Sequence, residues 1–153
     1  MAKSAGDVVR EFTDAMRRGD LNHAFDDLAT EDIIFENVPM QPPAQVVQGR
    51  QVVKDRLAAL YAVSKAERFD IINQVENGST VMHERVDSYR FAPGTFPKSD
   101  VFMMRIASVF NVRDERVALW RDYYDFGCFE TDLGVDLVEF GRRVGHQYAA
   151  DNA

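Results

Sequence analysis

His83-Glu84-Arg85-Val86-Asp87 lies inside a longer run, Ser79 to Phe91, that reads as one β-strand. Side chains alternate faces along a strand, so Arg85 and Asp87 point the same way as Val81, His83, Tyr89 and Phe91. A cation and an acid thus sit in a row that is otherwise largely apolar. Such a face is normally buried, and a buried charge needs partners. A second run, Trp120-Arg121-Asp122-Tyr123-Tyr124-Asp125, supplies one. Asp122 shares parity with Ala118, Trp120, Tyr124 and Phe126, again one acid on an apolar face. If both strands belong to one curved sheet, Asp87, Arg85 and Asp122 meet inside it. Asp125 has the opposite parity and is expected to face outward or toward a partner subunit.

The chain changes character along its length. Ser4 and Asp7 resemble a capping box, and Val8, Val9, Phe12, Ala15 and Met16 come after them at helical spacing. Gly19 ends that helix. Asp20 caps a shorter one carrying Leu21, Ala24, Phe25 and Leu28. A strand from Ile33 to Asn37 leads into a stiff loop containing Pro39, Pro42 and Pro43. A third helix begins at Gly49 and buries Val53, Leu57, Leu60 and Tyr61. Strands are expected over Arg68 to Glu76, Ser79 to Phe91, Asp100 to Val112 and Arg116 to Phe126. Asn77-Gly78 reads as a type I′ hairpin turn and Asp114-Glu115 as a second, solvated turn. Residues 132–148 have helical spacing interrupted by Gly134, Gly141 and Gly145. Helices first and an antiparallel meander afterwards imply a single α+β domain over residues 1–153, its bent sheet forming a cone-shaped pocket closed by the N-terminal helices.

Composition narrows the partners. The chain has 153 residues, 46% of them hydrophobic, which suits one globular core. A net charge of −7 argues against nucleic acid or an anionic membrane as partner. The one cysteine, Cys128, leaves no internal disulfide framework and suits a reducing cytoplasm. Its aromatic neighbours favour packing over reactivity. No apolar run reaches membrane-spanning length, and the first residues lack the apolar stretch of a signal peptide. The sequence holds no nucleophile elbow, P-loop or dinucleotide fingerprint. His23, His83 and His146 are too scattered for a metal site, so neither metal nor cofactor is expected. His83 reads as a packed histidine, and Met103 and Met104 as ordinary packing on opposite faces.

Three segments together, Phe35-Glu36-Asn37-Val38-Pro39, Glu84-Arg85-Val86-Asp87 and Trp120-Arg121-Asp122-Tyr123-Tyr124-Asp125, resemble the limonene-1,2-epoxide hydrolase family. That family sits within the wider group of SnoaL-like and nuclear transport factor 2-like (NTF2-like) domains. The resemblance runs from the first helix to Phe129. It implies a strongly curved mixed sheet with helices closing one side, usually as a homodimer. It also implies roles. Asp87 matches the general acid that protonates the epoxide oxygen, Asp122 the base that activates water, and Arg85 the arginine bridging them. Asn37 matches an amide that helps hold the water. The family has a tyrosine two residues before that amide, and here the position is Phe35. Strand parity and the resemblance together place Leu60, Tyr89, Met104, Ile106, Tyr124 and Phe129 in the pocket lining.

The chemistry is coherent without the resemblance. Like charges raise one carboxyl pKa while the arginine lowers the other, so a single shared proton leaves one acid and one base side by side. Opening an epoxide needs both, because the leaving oxygen must gain a proton as water attacks carbon. The expected activity is cofactor-free hydrolysis of a small hydrophobic epoxide to a vicinal diol. Two other readings stand beside it. One is a SnoaL-like cyclase or ketosteroid-isomerase-like enzyme moving a C–H proton. The other is an NTF2-like binding module without turnover. A structural ion pair is the bland reading of Arg85 with Asp87.

Overall fold

Six strands form one mixed sheet in the computed structural model, which describes residues 1–39 and 45–145. They are β1 (Ala29–Asn37), β2 (Gln45–Gln48), β3 (Ser64–Asn77), β4 (Thr80–Phe91), β5 (Val101–Arg113) and β6 (Arg116–Tyr124). The helices are α1 (Ala5–Arg18), α2 (Arg50–Val63) and α3 (Leu137–Val144). The sheet order is β2-β1-β6-β5-β4-β3, antiparallel throughout except that β1 runs parallel to β6. Register irregularities in β1, β3 and β5 bend the sheet. Helix α1 packs on β3, and α2 on β1 and β2. This is the α+β architecture the sequence implied.

Local chemistry explains the elements. Ser4 caps α1 by accepting from the Asp7 N–H at 3.1 Å, and the buried stripe is Val8, Val9, Phe12, Ala15 and Met16. At its end Gly19 takes φ 72°, and the N–H groups of Gly19 and Asp20 return to the carbonyls of Met16 and Ala15. That is a Schellman closure, and its left-handed residue is the reason a glycine stands there. The aromatic rings of Phe12, Phe25, Phe110 and Trp120 meet edge-on or stacked beneath α1 and tie it to the sheet.

Several boundaries differ from the sequence reading. Asp20 does cap the chain, accepting from the His23 N–H at 3.0 Å, and the short second helix follows it, wound over His23–Asp27 as a π-helix rather than an α-helix. Strand β1 starts at Ala29, four residues early, because β6 offers it a parallel ladder from Val117. Strand β2 was not anticipated. It pairs antiparallel with β1 beyond the proline loop, whose Pro42 and Pro43 lie outside the described residues. β3 starts at Ser64, where pairing with β4 overrides the weak strand propensity of Ser64-Lys65-Ala66-Glu67.

The β3–β4 turn is not the type I′ form. Asn77 pairs with Thr80, and only Gly78 takes positive φ, at 60°. Type I′ geometry instead occurs at Asp114-Glu115, with φ 52° and 57°. β6 ends at Tyr124, so Phe126 leaves the sheet and is exposed. Met103 is also exposed rather than packed, and Tyr61 is only partly buried. The expected helix over 132–148 divides into a π turn, Phe129–Leu133, and the short α3. Gly134, left-handed at φ 76°, separates them, and His146 and Tyr148 lie outside the described residues. Among the described residues no helix is long and apolar enough to cross a membrane.

Two cross-strand rows position the site. Gln74, His83, Ser108, Asp122 and Asn37 are direct neighbours across β3, β4, β5, β6 and β1. Beside them runs the row Val81, Phe110, Trp120, Phe35 and Val47. A polar line and an aromatic line thus cross the concave side together. Asp87 lies two positions along β4 from Arg85, opposite Phe69 and Met104.

Candidate active site

Arg85, Asp87 and Asp122 are 1%, 2% and 4% exposed, and they meet. Arg85 Nε donates to Asp87 Oδ1 at 2.5 Å and Nη2 donates to Asp87 Oδ2 at 2.9 Å, a two-pronged grip. The same Nη2 lies 3.6 Å from Asp122 Oδ2. The tighter link to Asp122 runs through Ser108. Arg85 Nη1 donates to Ser108 Oγ at 3.0 Å, and that hydroxyl donates to Asp122 Oδ1 at 2.6 Å. Trp120 Nε1 donates to the same Oδ1, also at 2.6 Å. Arg85 Nη1 further donates to His83 Nε2 at 2.7 Å. The Phe69 ring covers the guanidinium, 5.4 Å from Cζ.

The two carboxyls are dressed differently. Both Asp87 oxygens accept from Arg85, yet each keeps a further lone pair, so a proton can sit on Asp87 without breaking the grip. Asp122 Oδ1 takes two donors, which leaves Oδ2 as its basic atom. Burial raises the Asp87 pKa to about 6, against the lowering pull of Arg85 and with a smaller push from Asp122. Burial raises Asp122 as well, opposed by Arg85 and by the hydrogen bonds from Ser108 and Trp120. Burial works against the charge on Arg85, but Asp87 and Asp122 outweigh it and hold the guanidinium more firmly protonated than usual.

The carboxylates open onto a cavity of about 60 Å³. Phe35, Asn37, Leu60, Asp87, Tyr89, Met104, Ile106, Asp122, Tyr124 and Phe129 all line it, so the structure brings these sequence-selected residues around one cavity wall. Arg85 lies behind that wall. The lining also includes Arg56 and Leu57 from α2, Phe102, Trp120 and, from α3, Phe140. Asn37 is buried and stands opposite Asp122 in the ladder. The Phe35 ring lies 4.4 Å from that of Trp120, and no hydroxyl stands at this position. A larger open groove of about 490 Å³ along β3 to β6 contains neither carboxylate.

Sequence reasoning missed Ser108, the indole donor of Trp120, and Arg56. Ser108 had a signal: it is the one polar residue among the inward set Phe102, Met104, Ile106, Phe110 and Val112. Asp125 is exposed. Cys128 is half-buried, and burial pushes its thiol up to about 12, which keeps it protonated and unreactive. Among the described residues no cluster of His, Cys, Asp and Glu has metal-binding geometry.

A curved sheet closed on one side by helices around a pocket is the fold seen in NTF2-like and SnoaL-like structures. Among solved structures it is similar to a candidate polyketide cyclase from Pseudomonas putida KT2440 (15% identity, 86% of this chain and 99% of that one, TM-score 0.70). A candidate isomerase from Bacillus subtilis matches at 19% identity over 85% of this chain and 92% of that one, also with a TM-score of 0.70. These two share the fold. Within that class, the chain belongs to the limonene-1,2-epoxide hydrolase family, whose catalytic-domain profile matches residues 3–131. An LEH-like epoxide hydrolase from M. tuberculosis is 25% identical over 89% of this chain and 93% of that one, with a TM-score of 0.70.

Proposed function

We propose that this protein hydrolyses a hydrophobic epoxide to a vicinal diol in one step, without metal or cofactor. The observation that carries the reading is the buried Asp87–Arg85–Asp122 group opening onto an apolar cavity. Asp87, with its raised pKa, holds the proton and delivers it to the epoxide oxygen as the C–O bond breaks. Asp122 Oδ2 takes a proton from the attacking water. Arg85 holds both carboxyls and keeps the group near neutrality as the proton is redistributed. Asn37, beside Asp122, orients the water. Phe35, Leu60, Tyr89, Met104, Ile106, Tyr124 and Phe129 bind the apolar body of the substrate. Its partners are such a small molecule and, as the family resemblance implies, a second copy of the chain.

The test is a panel of epoxides assayed for diol with purified protein, chelator present, in ¹⁸O-labelled water under single-turnover conditions. Label in the diol supports direct attack by water. Label absent from the first-turnover diol would mean a carboxylate attacks carbon, and no diol from any epoxide would end the proposal.

One observation favours a second reading. Phe35 removes a water-holding hydroxyl, and an enzyme of the cyclase or isomerase type, which moves a C–H proton, needs no bound water. The two readings separate at this residue. Phe35→Tyr places a hydroxyl on the cavity wall beside Asn37, so hydrolysis is expected to rise about threefold to tenfold in kcat. A fall in kcat, with the protein still folded, would show that water is not positioned from this side.

A further inference from the structure

We propose that His83 is a positioning residue for Arg85: its neutral ring, anchored through Gln74 to the start of α1, fixes the guanidinium between the two carboxyls. The inference rests on the hydrolase reading for its kinetic consequence, but the ring's state is a property of the fold.

Donors and acceptors fix the state of the ring. An arginine only donates, so His83 Nε2, 2.7 Å from Arg85 Nη1, must be the bare nitrogen of the ring. The proton of the neutral imidazole is then on Nδ1, which donates to Gln74 Oε1 at 3.2 Å. This fixes the orientation of the Gln74 amide, whose Nε2 donates to the Gly6 carbonyl at 3.1 Å. A directional chain therefore runs from Arg85 through His83 and Gln74 to the first turn of α1. The Phe110 ring packs edge-on against His83 at 4.8 Å, so the imidazole is held on its remaining side.

Arg85 needs this support. Its Nε and one Nη2 hydrogen serve Asp87, and its Nη1 hydrogens serve Ser108 and His83. Without His83, one buried Nη1 hydrogen loses its acceptor, and the guanidinium is free to swing toward Ser108. That motion would change the Nη2 distance to Asp122, which at 3.6 Å is the loosest of its contacts. A merely packed histidine needs neither a defined tautomer nor a hydrogen-bonding replacement.

The experiment compares three variants by steady-state kinetics and reads the wild-type ring by long-range ¹H–¹⁵N NMR. His83→Leu is expected to lower kcat about 10²-fold with KM changed no more than about twofold, the signature of misplaced groups rather than lost binding. His83→Gln, whose amide oxygen reaches the Nε2 position, is expected to keep kcat within about threefold of wild type. His83→Asn reaches only the Nδ1 side and is expected to behave as His83→Leu does. The spectrum is expected to show a neutral, Nδ1-protonated ring. Equal activity of His83→Leu and wild type, or a ring protonated at Nε2, would overturn the proposal. If wild type opens no epoxide, the hydrolase reading falls, while the tautomer still decides whether His83 holds Arg85. If the leucine variant does not fold, the contrast between His83→Gln and His83→Asn decides the kinetic part.

Discussion

Asp122→Asn is expected to lower diol formation by about 10²- to 10⁴-fold, the range for losing a general base, with the fold intact. The fold survives because the cluster stays balanced: Arg85 is neutralised by Asp87, and the amide oxygen still accepts from Ser108 and Trp120. Asp87→Asn is expected to cost a similar factor, with Asp122 left as the counter-charge. The wild-type profile adds a sign. With the Asp87 pKa raised to about 6, the proton-bearing form declines as pH rises through that value, and kcat/KM falls with it. Asp87→Asn has no such proton to lose, so its residual rate is expected to be flat there. Retention of most activity in either variant, with folding verified by circular dichroism, would remove the mechanism.

Arg85→Met is expected to cost stability as well as activity. It removes a buried cation and leaves two nearly inaccessible carboxyls without their counter-charge. Breaking a buried ion pair by deleting one partner typically costs about 3–5 kcal/mol. The loss is expected to depend on pH. Both carboxyl pKa values, already raised by burial, rise further when the arginine is gone. A folded-state pKa above the unfolded one gives stability that is present at low pH and lost as pH rises through the folded value. Urea titrations at pH 5 and pH 8 are therefore expected to find the variant much weaker at pH 8. Adding Asp87→Asn and Asp122→Asn together is expected to restore most of the loss. A variant as stable as wild type at pH 8 would mean that the arginine does not neutralise this site.

Much of the site was legible because strand alternation is strict. Parity alone set Arg85, Asp87 and Asp122 on inward faces, and the structure has all three buried. Asp125 is exposed as expected, but it stands one residue beyond the end of β6, where parity no longer acts. What parity lacks is the register between strands. Ser108 stands between His83 and Asp122 only because β5 pairs with β4 and β6 in one particular offset, and no single strand encodes that. Likewise His83 was readable as a packed ring, but its role as acceptor depends on Gln74, which reaches it from β3. Strand β2 was invisible because its four residues form a strand only against β1. The hairpin expected at Asn77-Gly78 is present, but pairing of Asn77 with Thr80 moves its loop by one residue to Gly78-Ser79 and changes its type.

The parallel ladder of β1 on β6 carries one more consequence. Phe35 and Asn37 face the cavity because each is matched to an inward residue of β6, Trp120 and Asp122, whereas Glu36 between them is matched to Arg121 and bonded to it. An extra residue upstream, near the irregularity between Ala29 and Ile34, can be absorbed without disturbing that match. An extra residue between Ile34 and Asn37 would reverse which side chains look inward and bring a third carboxylate against Asp122. Attempts to enlarge the pocket by lengthening this strand therefore have a safe end and a forbidden one.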